Sequence, residues 1–336
     1  MFAKKQRPHR SSSEDSEMGR ALILAPTRLW PIVLVTGLQI GAYGLVYPAT
    51  SQLILDEVDG DDARASIYSG VLLGIRSALE FFSLPLLGTL SDHVGRKPIL
   101  LLGTTTSMLG WLLLGCMPCL ETLVAAFVLS GCTNAVFTLA FAVITDVTAH
   151  RIAQSRETSS GKPNTSKPSL LEGLSSDDNI AHHFGLMGVA WGIGILLGPV
   201  TGGVLLHYYG IWVPFMVSAG ICFVCTLVTA VFVLESLHKA QDFSWARANP
   251  LPFLRWFFAK KELAVLGVPF CLNQFAFGCH SIWFFYVNRR YGWQPIQIGA
   301  FLSAAGLLSI CVQGVGIKYI IPKRMSIARA VPMSLA

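Results

Sequence analysis

Apolar residues gather into long runs along this chain, near 30–54, 67–88, 98–117, 122–145, 184–208, 211–234, 263–287 and 296–317, with polar stretches between them. An α-helix rises about 1.5 Å per residue, so about 20 residues cross the roughly 30 Å of hydrocarbon in a bilayer. Membrane-spanning strands would be about half that length and would alternate apolar and polar side chains. These runs do not alternate. The pattern predicts eight helices through lipid: an all-α polytopic membrane protein.

The polar stretches divide the chain. Residues 1–28 (MFAKKQRPHRSSSEDSEMGR and onward) form a tail too poor in apolar side chains to fold alone. Its SSSEDSE run could accept phosphate or simply solvate the tail. The tail's length, and the lack of a small-residue cleavage site before the second run, argue against a removed signal peptide. Residues 29–236 hold six spans, interrupted by a Ser- and Lys-rich segment at 147–183 that reads as a flexible loop. A linker follows at 237–262; its NPLPFLRWFFAKKE interleaves aromatics with bases, as a segment lying among lipid headgroups would, or a plain connector. Two further spans occupy 263–320, and 321–336 is a basic tail.

Composition agrees with lipid as the solvent. The 336 residues are 53% hydrophobic and 13% charged, about half the charge usual in soluble domains. Cytoplasmic loops are enriched in Lys and Arg. With the N-terminus inside, 21 of the 25 Lys and Arg fall on inner segments; Arg64, Arg289 and Arg290 fall outside and Arg76 within a span. The acidic stretch DEVDGDDARAS after the first run suits an outer face. The net charge of +6 reflects this asymmetry and gives no reason to invoke nucleic acid. Asn164-Thr165-Ser166 is a glycosylation acceptor that this topology keeps in the cytosol and unmodified.

Enzyme chemistry finds little support. Cys132, Cys222, Cys225, Cys271, Cys279 and Cys311 lie in the apolar runs as small fillers. Cys116 and Cys119 have redox or metal spacing, yet neither a second pair nor a nearby His completes a site. The histidines have no ligand spacing, and no nucleotide loop is present. No cofactor and no metal are expected.

Charge concentrates instead at 88–98, GTLSDHVGRKP, between the second and third runs. Charges are expensive in hydrocarbon, so this is a tight turn at the membrane surface. Gly88 would let a neighbouring helix approach, and Gly95 would permit the turn itself. Asp92, after the second span and before the third, would favour the positive end of the third helix. Arg96 and Lys97 would meet anionic headgroups.

Two charged residues sit inside the second run. Arg76 and Glu80 are four apart, on one helix face. At mid-depth they are either a structural ion pair or a substrate or proton site. Gln39, Asn134, Trp191, Asn273 and Gln274 are further polar or aromatic groups that could line a cavity, although each taken singly is more readily explained by packing or interhelical hydrogen bonding. At 185–203, GLMGVAWGIGILLGPVTGG, glycines 194, 198 and 202 repeat every four residues and make a smooth groove. Pro199 removes a backbone hydrogen bond within it.

The stretch at 88–98 resembles the signature loop between the second and third helices of the major facilitator superfamily, at Gly88, Leu90, Asp92, Gly95, Arg96, Lys97 and Leu100. The stretch at 185–203 resembles the antiporter motif on that superfamily's fifth helix, at Gly185, Gly194, Gly198, Pro199, Gly202 and Gly203. AFAVITDVT at 140–148 and GWQPIQIGAFLSAAGLLSICVQG at 292–314 place the tetracycline/proton antiporters and the hippocampus-abundant-transcript-like proteins nearest. The resemblance covers about 30–320. It implies a six-helix N-terminal half plus two helices of the C-terminal half. It also implies that Asp146 joins Asp92 and Arg96 in a cytosolic charge cluster that latches one conformation.

Three departures stand out. Gln39 occupies the place where the tetracycline antiporters resemble Leu-Asp, and Phe127 the place where many superfamily antiporters carry an Arg. The superfamily has twelve helices in two halves, so the resemblance implies a C-terminally truncated product or an eight-helix variant. The leading expectation is a secondary transporter of a small organic solute or drug by alternating access, with protons as candidate coupling ion and the bilayer and a small-molecule substrate as partners. The alternative is a non-transporting membrane protein that pairs with itself or regulates a full-length relative.

Overall fold

The computed structural model describes residues 29–160, 170–237, 242–251, 267–268, 271–272, 275, 278 and 280–311. Every regular element among them is a helix: α1 Trp30–Glu57, α2 Asp62–Val94, α3 Arg96–Cys116, α4 Leu120–Thr133, α5 Val136–Ser160, α6 Leu170–Tyr209, α7 Trp212–Phe232, the short α8 Trp245–Ala248, α9 His280–Tyr291 and α10 Pro295–Cys311. Among the described residues, six stretches are long and apolar enough to cross a membrane: α1, α2, α3, α4–α5 through Thr148, α6 from Gly185, and α7. The chain is an integral, multi-pass α-helical protein. Part of the seventh apolar run, the N-terminal tail, the glycosylation acceptor at Asn164 and the C-terminal tail lie outside the described residues.

The segment 147–183, expected as a loop, is largely helical: α5 continues to Ser160 and α6 starts at Leu170. Residues 147–160 contain neither Gly nor Pro, so nothing in the backbone ends the helix where its apolar face ends.

The fourth span is not one helix. α4 stops at Thr133 and α5 begins at Val136, with Asn134 at φ −82° and ψ 85°. Backbone groups released in hydrocarbon must find partners. Ser83 Oγ on α2 donates to the Gly131 carbonyl at 2.7 Å, and the Thr133 and Thr106 hydroxyls meet at 2.7 Å. The break is thereby stitched to α2 and α3.

Two apolar clusters close the bundle at different levels. One gathers Leu45, Leu53, Trp111, Leu114, Leu123, Phe215 and Phe284; the other gathers Ile32, Val35, Leu100, Leu139, Ile144 and Met187. Large side chains such as Phe82, Leu197, Val231 and Leu308 are exposed, which suits surfaces facing lipid tails.

Candidate functional site

Three constructions are built on this frame. The first is the turn between α2 and α3. Only Gly95 separates the two helices, at φ +123°, a conformation that side-chain-bearing residues rarely adopt. Arg96 Nη1 lies 2.6 Å from Asp92 Oδ1 and donates to Ser91 Oγ at 2.6 Å, while its Nε donates to Asp146 Oδ2 at 3.2 Å. One guanidinium thus ties α2, α3 and α5 together. Asp92 lies in the last turn of α2, inside the helix rather than beyond it.

Glu235, just past α7, was not legible from sequence. Its carboxylate accepts from the Arg96 amide at 2.8 Å and the Lys97 amide at 3.1 Å. These are among the first N–H groups of α3, which have no partner within the helix and carry its positive pole. Lys97, expected to reach the headgroups, instead donates its ammonium to the Ala230 carbonyl in the last turn of α7 at 2.7 Å. Carboxylate and ammonium therefore cap the two helices reciprocally. A Cβ at Gly95 would collide with the Glu235 carboxylate. Leu90 packs against the apolar cluster beneath the turn. Gly88 differs from expectation: no atom lies within 4 Å of where its Cβ would be, so no described helix uses it for close approach.

The second construction is the glycine face of α6. A Cβ at Gly194 would stand 2.9 Å from the Gly37 carbonyl oxygen and the Gly41 nitrogen of α1. At Gly198 it would stand 2.6 Å from the Gly41 carbonyl oxygen, and at Gly202 it would strike the Leu45 carbonyl. This stripe seals α6 to α1 backbone on backbone. An adjoining stripe faces α10: a Cβ at Gly203 would come within 2.7 Å of the Pro295 carbonyl oxygen, and one at Gly306 within 2.6 Å of the Leu196 nitrogen. Pro199 lies against Gly299 of α10 and Gly44 of α1. Gly185 has open space around it and takes no part in either seam.

The third construction is a cavity of about 900 Å³ among α1, α2, α3, α4, α5, α6 and α10, with Asn134 at the α4–α5 break also on its wall. That volume suits a drug-sized molecule. The Arg76 and Glu80 side chains face it as an ion pair, with Nη2 and Nε each 3.0 Å from Oε1. The Arg76 guanidinium also lies over the Tyr43 ring at 5.1 Å and near the Phe127 ring at 6.0 Å. Where the resemblance calls for an Arg at position 127, a phenyl ring meets an Arg supplied by α2. Asn134 Nδ2 donates to the Tyr43 hydroxyl at 3.0 Å, and that hydroxyl lies 3.1 Å from Ser130 Oγ. Gln39 lines the cavity from α1, and Trp191 lines it from α6, 4.8 Å from Phe137. Asn273 and Gln274 lie outside the described residues. Tyr43, Trp111 and Phe137 also line the cavity; in sequence they were ordinary members of apolar runs.

The geometry agrees with what the chain is similar to. It is 29% identical over 273 residues to the class C tetracycline resistance protein of Escherichia coli, covering 80% of this chain and 61% of that protein. The class H tetracycline resistance protein of Pasteurella multocida is 26% identical over 291 residues, covering 84% of this chain and 64% of that one. Human hippocampus abundant transcript-like protein 1 is 25% identical over 265 residues, covering 74% and 45%. The chain therefore spans less than two thirds of the length of these relatives. Its fold matches the crystal structure of the human organic anion transporter MFSD10 (TETRAN) with a TM-score of 0.62 at 20% identity, over 88% of this chain and 72% of that one. The family model described as Major Facilitator Superfamily matches residues 21–157 and 163–336, and the chain belongs to that superfamily.

Proposed function

We propose that the chain serves secondary transport of a small organic solute or drug by alternating access. The observation that carries this reading is the cavity of about 900 Å³ within the spans, walled by rings and holding one ion pair. Its relatives include tetracycline resistance proteins. Arg96, held between Asp92 and Asp146, latches α2 and α3 to α5 in this state. Breaking that latch accompanies the opposite state, and such bistability is what alternating access requires. The glycine seams of α6 limit leak beside the moving parts. Residues 29–236 act as the N-terminal half and 263–320 as the start of the second, with the N-terminus cytosolic as the basic loops direct.

Substrate flux in proteoliposomes tests the reading. Arg96→Asp abolishes flux, and adding Asp146→Arg restores part of it. A double variant no better than the single one refutes the latch. Protons are the proposed coupling ion and Glu80 its carrier. Glu80→Gln then removes the pH dependence of flux, and an unchanged profile dismisses Glu80. An intact, folded chain that moves no organic solute favours the reading of a non-transporting partner.

A further inference from the structure

The Arg76–Glu80 pair on the cavity wall is only half used. Arg76 Nε and Nη2 both lie 3.0 Å from one carboxylate oxygen, Oε1. Among the described residues, neither Arg76 Nη1 nor Glu80 Oε2 has a hydrogen bond. Neither atom is sealed off: the two side chains keep 20% and 27% of their surface open, and both line the cavity. The guanidinium therefore keeps a second edge, Nη1 with Nη2, a fork that matches a carboxylate.

Arg76 is held by more than Glu80. Its guanidinium carbon lies 5.1 Å from the centre of the Tyr43 ring and 6.0 Å from that of Phe127, within reach of cation–π attraction. Tyr43 is itself fixed by Asn134 Nδ2 at 3.0 Å and Ser130 Oγ at 3.1 Å. The cation thus stays in place when the carboxylate lets go.

The two partners differ in what they can become. A guanidinium keeps its charge in a protein, whereas a carboxylate can take a proton. The pair can therefore pass from neutral to net positive, and never to net negative. Among the described residues, Tyr43 and Tyr47 are the other ionisable side chains on the wall. The elements packed on α2 otherwise carry their described charges near their ends, at Asp56, Glu57, Arg96, Lys97, Glu121, Arg247, Arg289 and Arg290, and none of these lines the cavity. An anion drawn in beside an ionised Glu80 would leave one negative charge uncompensated at membrane depth, which is costly. Protonating Glu80 removes that excess and hands the guanidinium to the ligand.

We infer that the cavity takes an organic monoanion, an aromatic body bearing a carboxylate, which binds Arg76 as Glu80 takes up one proton from water. The rings of Tyr43, Tyr47, Phe127, Phe137 and Trp191 on the wall supply faces and edges for that body. The inference rests on the reading of the cavity as the substrate chamber and of Glu80 as the proton carrier. It goes beyond that reading in fixing the ligand's charge, the group that binds it and the count of protons that accompany it.

The test uses the purified chain in lipid nanodiscs, with empty nanodiscs subtracted, and two probes of one shape: 2-naphthoate and its uncharged amide. Titration calorimetry in two buffers of different ionisation enthalpy counts the protons taken up. The chain gains about one proton per 2-naphthoate bound wherever Glu80 starts ionised, and affinity falls up to about tenfold for each unit rise between about pH 6 and 9. The amide shows neither effect. Glu80→Gln binds 2-naphthoate without proton uptake and with a flat pH profile, at least about tenfold more tightly than the parent at about pH 8. Combining Glu80→Gln with Arg76→Gln leaves no unpaired charge, so circular dichroism and the thermal midpoint report an intact fold, yet 2-naphthoate binding weakens at least about tenfold. The proton count on the parent chain stands whether or not either variant folds. Binding of 2-naphthoate without proton uptake overturns the proposal. So does an amide bound as tightly as the carboxylate near pH 6, full binding by the double variant, or no binding by the folded parent chain. Flux is measured separately: proton-linked probe binding without transport sinks the transport reading alone, and transport of another solute without probe binding sinks this inference alone.

Discussion

The seam between α1 and α6 yields a prediction whose size follows from geometry. In Gly198→Ala the new methyl sits 2.6 Å from the Gly41 carbonyl oxygen and 3.0 Å from the Gly44 Cα and Leu45 nitrogen. Comfortable contact needs about 3.5 Å or more, so the helices must part by roughly 0.5–1 Å. All three obstacles are backbone atoms, which cannot turn aside as a side chain would. Overpacking of this kind costs about 1–3 kcal/mol. Replacing Gly by Ala inside a helix returns up to about 1 kcal/mol. The same helix contains its own control: Gly185 has no atom within 4 Å of its notional Cβ, so Gly185→Ala collects the helical gain without the clash. Subtracting one variant from the other cancels the propensity and leaves the packing cost, about 1–3 kcal/mol in favour of Gly185→Ala. Equilibrium unfolding in mixed detergent and SDS micelles, followed by circular dichroism, measures both. Equal stability of the two variants would refute a close backbone seam.

Other outcomes follow from the same contacts. Glu235→Ala exposes the first amides of α3 and lowers stability by about 0.5–1 kcal/mol, the low end for a lost cap because the carboxylate is exposed; faster amide exchange at Arg96 and Lys97 reports the loss. Glu80→Gln leaves the half-buried Arg76 unpaired and destabilises by about 1–3 kcal/mol, less than for a fully buried pair. Adding Arg76→Gln recovers part of that in the same unfolding assay, and no recovery would show the two charges to be independent. Ser83→Ala strips the Gly131 carbonyl of its donor at the α4–α5 break and costs about 1 kcal/mol, read as a lower thermal midpoint.

The spans were legible because hydrocarbon allows so few solutions for a backbone, and α1 to α3 follow their apolar runs closely. The partnership of Asp92, Arg96 and Asp146 was reached through resemblance, since spacing alone does not bring residue 146 to residue 96. Glu235 escaped notice because an acid after a span reads as a solvated end, and its partners lie 138 and 139 positions away. The break at Asn134 is invisible to hydropathy, which runs unbroken from Leu120 to Thr148. It takes the Ser83 and Thr106 contacts to stabilise it. Gln39 drew attention as a polar residue in an apolar run. That its amide oxygen meets the Cys222 thiol of α7, 183 positions away, is something sequence does not carry.

The interruption at Asn134 changes how the fourth crossing carries force. An unbroken helix is a lever: tilting one end moves the other in proportion. Here the first arm, α4, packs on α2 and α3, while the second arm, α5, touches α1, α3 and α6 and bears Asp146. Between them lies a pivot of two residues, where torsion can be taken up locally. A pull on Asp146 from the Arg96 side therefore turns the second arm without having to lever the first one out of its bed. The Asn134 amide, seated at the pivot and bonded to Tyr43, makes the wall of the cavity the first place such a turn is felt.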